Sequence, residues 1–131
     1  MKLDTSLFNS IAQQAKESPR LRMHYDLRDS SEENGQRMLN VLLPGTTENI
    51  HRHLNTSEVV ICIHGKAIET FYDEDGNITE TVEMTAGGEC PGVLVEINRW
   101  HSIKPIGGSA TVITTMAGKY DPNTIEIMEK K

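Results

Sequence analysis

The chain has 131 residues, which is enough for one domain with its own hydrophobic core and too few for two ordinary domains. Hydrophobic residues make up 37% and charged residues 24% of the chain, a composition typical of globular rather than disordered or fibrous proteins. The net charge of −6 argues against nucleic acid or an anionic membrane surface as a partner, because both require a basic face.

Three further features bear on the compartment of the protein. The longest apolar runs are only a few residues long, so we expect no membrane-spanning segment. Residues 1–19 lack a continuous apolar stretch and a small-residue cleavage site, so we expect no secretory signal. Cys62 and Cys90 lie far apart and form no paired motif. Together these features predict a cytoplasmic protein with reduced cysteines.

The N-terminal part of the chain predicts one short helix and an extended arm. Residues 5–17 carry apolar side chains at helical spacing and predict an amphipathic helix. Thr5 or Ser6 is expected to cap this helix, and Pro19 is expected to end it. Residues 20–36 are mostly polar with a weak alternation, which predicts a short strand followed by a loop.

From residue 37 onward, short apolar runs alternate with turn residues. The runs are RMLNVLL, NIHRHL, EVVICI, KAIETFY, ITETVEM, GVLVEI, WHSIKPI and ATVITTM. About eight short strands at regular spacing predict an all-β fold, an antiparallel barrel or sandwich. Asp75-Gly76 is its strongest hairpin signal. We predict a barrel over residues 37–131, with residues 1–36 as a helix and arm that pack on it. Residues 119–131 are expected to form a short helix or to lie along the barrel.

One stretch, GTTENIHRHLNTSEVVICIHG at residues 45–65, contains three of the five histidines. Side chains alternate along a strand, so His51 and His53 project from the same face. A hairpin would then bring Glu58, at the head of the next strand, beside the two imidazoles. A carboxylate that begins an apolar strand needs a partner, which a metal ion would supply. The alternative is an ordinary hairpin whose histidines and glutamate are solvated.

The complete spacing of this stretch resembles the first motif of the cupin superfamily. The motif positions are Gly45, His51, His53, Glu58 and Gly65. The resemblance implies a small double-stranded β-helix barrel, also called a jelly roll, with a short N-terminal helix in this chain. It also implies that the two histidines and the glutamate bind a metal.

A second segment, GVLVEINRWHSIKP at residues 92–105, is similar to the second cupin motif and offers His101 as the fourth ligand. Where the family pattern has proline and glycine, this chain has Glu96 and Asn98. Asparagine tolerates the left-handed conformation that glycine usually adopts, so the turn can be kept. The alternative is a strand histidine that merely lies beside Trp100.

The similarity extends over most of the chain, which resembles the WbuC-type cupin-fold metalloproteins. The shared segments are SPRLRMHYDL, GQRMLNVLLPGT, HRH, FYDEDGNITE, NRWHSI and GKYDP. This family takes its name from bacterial polysaccharide loci. Many of its members have a lysine shortly before the last segment, where this chain has Met116. If that lysine contacts substrate, this protein is expected to differ in activity.

The predicted cofactor is one divalent transition metal per chain. Three imidazoles and one carboxylate suit Fe, Mn, Co, Ni, Cu and Zn, so the donor set leaves the metal open. Such a set also leaves one or two coordination positions for water or substrate. The ion could polarise a substrate oxygen, activate water or, if it is iron, bind oxygen.

The predicted function is that of a metal-dependent enzyme acting on a small polar substrate, and the resemblance to the WbuC-type proteins implies a sugar or sugar nucleotide in bacterial polysaccharide metabolism. Its chemistry would be isomerase-like, epimerase-like or oxygenase-like. The alternatives are a non-catalytic binding or sensing module anchored by the same ion and a purely structural metal. Glu96, Tyr25 and His24 are the candidate acids or bases. Arg37 is the candidate for an anionic part of the substrate, and Tyr120 for the wall of the pocket.

The sequence also predicts a homodimer. The strand at residues 58–63 is apolar on both faces, and a small barrel that exposes one of them would cover it with a partner. The resemblance to cupins implies the same assembly.

Overall fold

The computed structural model describes residues 1–129, in which one α-helix is followed by ten strands. The elements are α1 (Thr5–Glu17), β1 (Arg22–Asp26), β2 (Gly35–Leu42), β3 (His51–His53), β4 (Glu58–His64), β5 (Lys66–Tyr72), β6 (Ile78–Thr85), β7 (Gly92–Val95), β8 (Trp100–Pro105), β9 (Ala110–Ala117) and β10 (Ile125–Ile127). Each of the eight predicted apolar runs contains a strand, and β1 and β10 extend the sheets. The strand in the arm was predicted as well.

The strands form two antiparallel sheets of five strands each. Their orders are β1-β2-β9-β4-β7 and β10-β3-β8-β5-β6. Apolar side chains from both sheets meet in one buried cluster, made up of Val60, Cys62, Ala67, Phe71, Met84, Val95, Ala110 and Val112. The predicted all-β, double-sheet jelly roll with a short N-terminal helix is confirmed.

The helix α1 covers part of the outer face of the first sheet. Its buried residues are Phe8, Ile11 and Ala15. They share a hydrophobic cluster with Leu39 and Val41 of β2, so helix and sheet exclude water from one another. Among residues 1–129, no helix is long and apolar enough to cross a membrane.

The N-terminal cap of α1 differs from the prediction. Asp4 caps the helix, and its carboxylate accepts a hydrogen bond of 3.0 Å from the backbone N–H of Leu7. Asp4 has an extended backbone, whereas Thr5 and Ser6 already lie inside the helix. The prediction that either of them is the cap was wrong, because the capping residue must precede the first helical one.

The C-terminal segment follows both predicted alternatives in turn. Pro122–Thr124 form a single turn of 3₁₀ helix, and β10 then pairs with β3 along the edge of the second sheet. Residues 130–131, the end of the predicted segment, lie outside the described residues. The edge of the sheet that carries the histidines is therefore covered by the chain's own C-terminal strand.

Candidate metal centre

Three histidines meet on the inner face of the second sheet. His51 and His53 lie on β3, and His101 lies directly opposite His51 on the neighbouring strand β8. One ring nitrogen from each of the three falls within 4.8 Å of the others. The ring centroids of His51 and His101 are 4.3 Å apart. This triad could bind a metal ion.

Glu58 approaches the triad from the facing sheet. Its Oε2 lies 3.8 Å from Nε2 of His53, and its Oε1 lies 3.6 Å from Nε2 of His101. Both distances are too long for a hydrogen bond, so the carboxylate lies beside these two imidazoles without bonding to either. The structure therefore brings together all four residues predicted as ligands.

The route by which Glu58 reaches the histidines was predicted wrongly. We expected a hairpin between the two strands, but β3 pairs with β8 and β10, whereas β4 pairs with β7 and β9. Between His53 and Glu58 the chain crosses from one sheet to the other. The carboxylate thus faces the imidazoles across the interior of the barrel.

Hydrogen bonds orient two of the three imidazoles. Nδ1 of His51 lies 2.9 Å from the carbonyl oxygen of Asn49, and Nδ1 of His101 lies 2.8 Å from that of Arg99. A carbonyl oxygen only accepts, so each Nδ1 carries the proton and each Nε2 presents its lone pair to the cluster. Nε2 of His101 and both ring nitrogens of His53 are buried without a hydrogen-bond partner among the described residues. Such a donor set fits a divalent transition metal.

Metal binding requires neutral imidazoles and an ionised carboxylate, and the pKa shifts of His51, His53 and Glu58, unlike that of His101, favour these states. Burial lowers the pKa of His53 to about 4, and burial together with the neighbouring His101 lowers the pKa of His51. Burial alone would raise the pKa of Glu58, but its contacts with the histidines outweigh this and lower it. The pKa of His101 is raised because Glu58 outweighs the effect of burial.

The second motif keeps its turn without glycine. Asn98 adopts a left-handed conformation with φ of 66°, as its tolerance for that region predicted. Its N–H donates a hydrogen bond of 2.8 Å to the carbonyl oxygen of His53, which ties the β7–β8 turn to β3. Glu96 in the same turn is exposed and lies 3.0 Å from Arg99, whose hydrogen bond lowers the pKa of Glu96. This candidate acid or base is not among the residues that line the cavity beside the cluster.

A cavity of about 390 Å³ adjoins the histidine cluster. This volume lies within the range of about 300–1,000 Å³ that is usual for small-molecule sites. Its lining includes three residues of the cluster and several other side chains: His51, Glu58, His101, Arg20, Arg22, His24, Asn40, Glu48, Glu69 and Ile103. The cluster therefore borders a space in which a small ligand could reach it.

Of the other predicted site residues, one lines this cavity and three do not. His24 lines it, whereas Tyr25, Tyr120 and Arg37 are exposed and do not. The guanidinium of Arg37 lies 3.0 Å from the carboxylate of Glu33, on the outer face of β2. The structure thus does not bring Arg37 or either tyrosine to the candidate site.

Arg22 and Glu48, which were not among the predicted site residues, build one wall of the cavity. Arg22 donates to Oγ1 of Thr46 at 2.9 Å, to Oε2 of Glu48 at 2.6 Å and to the carbonyl oxygen of Ile103 at 3.0 Å. The other oxygen of Glu48 accepts from the N–H of Ile103 at 2.8 Å. These bonds occupy the backbone N–H and carbonyl groups of Ile103 in β8, beyond the point where β3 pairs with that strand. The Arg22–Glu48 ion pair therefore attaches the N-terminal arm to the barrel.

Glu69 is a second missed residue of the cavity. It lies on β5 and is only 1% exposed. Neither carboxyl oxygen has a hydrogen-bond partner among residues 1–129. Burial, with the negative charges of Glu58 and Glu48, raises its pKa well above the usual range. Alternation in the run KAIETFY could have revealed it, because it places a glutamate on the same face as Ala67 and Phe71.

Comparison with solved structures identifies the class of fold as that of the cupins. The capsular polysaccharide assembling protein CapF from Staphylococcus aureus is 21% identical, with a TM-score of 0.67, over 86% of this chain and 33% of that one. Protein SO0799 from Shewanella oneidensis is 17% identical, with a TM-score of 0.65, over 80% and 72% of the two chains. Oxalate decarboxylase from Lactobacillus farciminis is 14% identical, with a TM-score of 0.64, over 82% and 31%.

These likenesses establish the fold alone, and this chain spans about a third of the length of CapF. The profile of the family described as "Domain of unknown function (DUF6016)" matches residues 3–84, which is more than half of the chain. The protein belongs to this family. The search of curated proteins found no match.

Proposed function

We propose that the protein binds one divalent transition metal per chain through His51, His53, Glu58 and His101, and that it is a metal-dependent enzyme acting on a small polar molecule. The observation that carries this proposal is the convergence of three imidazoles and one carboxylate beside a cavity, which His51, Glu58 and His101 line. A bound ion would polarise a substrate oxygen. The identity of the metal, among Fe, Mn, Co, Ni, Cu and Zn, is left to the measurement below.

The proposed substrate is a sugar or a sugar nucleotide. Two likenesses support a role in bacterial polysaccharide metabolism: the resemblance to the WbuC-type metalloproteins and the structural similarity to a capsular polysaccharide assembling protein. Within the cavity, Arg20 takes the role that the sequence analysis gave to Arg37. Its guanidinium has no ion-pair partner among residues 1–129, so it can contact an anionic group at the cavity wall.

Catalysis, as opposed to binding alone, requires an acid or base near the bound molecule. His24 and Glu69 both line the cavity, which favours an isomerase-like, epimerase-like or oxygenase-like enzyme over a binding or sensing module. Met116 lies opposite Glu58 in the pairing of β9 with β4. A lysine at that position in related proteins would place a charge beside the cluster, so we expect this protein to differ from them in activity.

Elemental analysis of the purified protein tests metal binding. We expect one ion per chain in the wild type and in His64→Ala, a matched control because His64 is exposed and lies outside the triad. The double variant His51→Ala/His53→Ala should retain less than about a tenth of the metal, since two of four ligands are lost. Full occupancy in that variant would refute the proposed site.

Turnover is then assayed with sugar nucleotides after loading with Fe(II), Mn(II), Ni(II) and Zn(II) in turn. Conversion that depends on the metal and is lost in the double variant would support the enzyme. Saturable binding of a sugar nucleotide without conversion by any metal form would instead identify the binding or sensing module.

We also propose that the protein works in the reducing cytoplasm. Cys62 is buried and Cys90 is exposed, and both are free thiols. Cell fractionation with thiol labelling should find the protein in the cytoplasmic fraction with two reduced cysteines. Recovery from an exported fraction would contradict this placement.

Finally, we propose that two copies associate through the outer face of β4 and β7. Val59, Ile61 and Leu94 are 38%, 37% and 53% exposed there, and Val59 is paired with Leu94. The helix covers the other part of this face, and β7 is the edge strand of its sheet. A second copy would remove these apolar side chains from water.

A further inference from the structure

The carboxyl group of Glu69 is buried without the hydrogen bonds that would let it stabilise the fold. Its side chain is 1% exposed, and both carboxyl oxygens lack a hydrogen-bond partner within the part of the chain that the structure describes. Burying a carboxyl group without such bonds is unfavourable. Local rules of this kind are broken mainly at functional sites, where another property outweighs stability.

The neighbouring polar groups cannot serve as its partners. All three nitrogens of the Arg22 guanidinium donate to Thr46, Glu48 or Ile103, and both oxygens of Glu48 are bonded as well. The ion pair on this wall is therefore already satisfied. Both carboxyl oxygens of Glu69 therefore remain available to a bound molecule.

The strand register places Glu69 close to the cluster but not within it. Glu69 is paired with Ile103, and two residues further along β5 Phe71 is paired with His101. Two residues of a strand span about 6.6–6.8 Å, so Glu69 lies one pleat away from His101 on the same face of the sheet. A molecule several atoms long that is bound at the cluster would reach this carboxyl.

We propose that Glu69 is a ligand-contacting residue that hydrogen-bonds a hydroxyl group of a polyhydroxylated molecule whose other end binds at the histidine cluster. This inference rests on the proposed function and names the group that selects its ligand. A hydroxyl can both donate to and accept from a carboxyl group. A site built around a buried hydrogen-bonding group rejects analogues that lack the hydroxyl, because they leave that group unpaired.

A pair of probes tests this selectivity in the Co(II)-loaded protein. Gluconate and hexanoate are both six-carbon carboxylates, but only gluconate carries hydroxyl groups along its chain. Binding is followed through the visible absorption of Co(II). We expect the wild type to bind gluconate at least about tenfold more tightly than hexanoate. Glu69→Leu should lose about tenfold in affinity for gluconate and nothing for hexanoate.

The matched control is Glu83→Leu, which removes a carboxylate from an exposed position on the adjacent strand β6. Glu83→Leu should keep the preference of the wild type for gluconate over hexanoate. If Glu69→Leu also keeps that preference, or if the loaded wild type binds neither probe, the inference is wrong. Failure of the wild type to hold Co(II) would instead refute the proposed function, so the two failures are distinguishable.

Thermal unfolding provides a second readout that does not depend on the choice of probe. Without a ligand, Glu69→Gln and Glu69→Leu should unfold at the same temperature as the wild type or higher, since both remove an unpartnered buried acid. A structural role predicts the opposite. If the isosteric Glu69→Gln variant unfolds at a clearly lower temperature, the carboxyl stabilises the fold and the inference is overturned.

Discussion

The interior of the barrel is used differently in two regions. In one, Cys62, Phe71, Met84 and Val95 fill the space between the sheets with apolar side chains. In the other, the histidine cluster, Glu58 and Glu69 border a cavity of about 390 Å³. The same pair of sheets supports both regions. Close packing in the first can supply the stability that allows the second to keep a cavity and buried charges.

The largest effect on stability should come from the packed region. Met84 is fully buried, so Met84→Ala is expected to destabilise the protein by about 2–5 kcal/mol through lost burial and a residual cavity. Chemical denaturation measures this change. Metal content should stay at the wild-type level, because Met84 is not part of the cluster. A variant that is fully stable but metal-free would contradict the division into two regions.

A substitution in the histidine cluster should affect metal binding rather than packing. Glu58→Gln replaces the one carboxylate among the predicted ligands with a neutral amide of the same shape. We expect metal affinity to fall by at least about 100-fold, more than is usual for the loss of a group that only supports a ligand. Competition with a coloured chelator measures it. An unchanged affinity would show that the ion, if bound, does not use Glu58.

An intermediate effect is expected on the outer face of β4 and β7. Leu94→Glu places a charge among exposed apolar residues and should weaken dimerisation by at least about tenfold, since an unpaired charge would be buried between the copies. Light scattering over a concentration series measures this. Ile78→Glu, at another exposed apolar position, is the control. A monomeric wild type at micromolar concentration would refute the dimer itself.

The smallest effect concerns the dependence of stability on pH. Because burial and nearby carboxylates raise the pKa of Glu69, the folded protein keeps a proton that the unfolded chain releases above its ordinary pKa. The contribution of Glu69 to stability is therefore greatest at low pH and is lost as pH rises toward the raised pKa. Glu69→Gln has no carboxyl group at this position and therefore lacks this dependence of stability on pH.

This prediction is checked by measuring the melting temperatures of the metal-free wild type and Glu69→Gln between about pH 5 and pH 8. The wild type should lose stability relative to Glu69→Gln as pH increases. A difference that stays constant over this range would mean that the carboxyl ionises in the folded protein as easily as in the unfolded chain.

Local patterns in the sequence determined most of the secondary structure. The helix at residues 5–17, the eight strands and the left-handed turn at Asn98 all depend on properties of neighbouring residues: periodicity, turn preference and backbone freedom. The motif spacing likewise identified the four residues that the structure brings together. Its interpretation as a hairpin failed, because strand partners are chosen by residues that are distant in the sequence.

Only the tertiary structure determines which residues line the cavity. Arg37 and Asn40 lie on opposite faces of β2, and only the docking of the helix on one face determines that Asn40, not Arg37, lines the cavity. Alternation places Glu69 on the same face as Ala67 and Phe71, but Glu69 was not predicted to be buried, because a glutamate in a strand is usually solvated. Alternation assigns residues to two faces, but which face becomes the interior depends on what packs against each sheet.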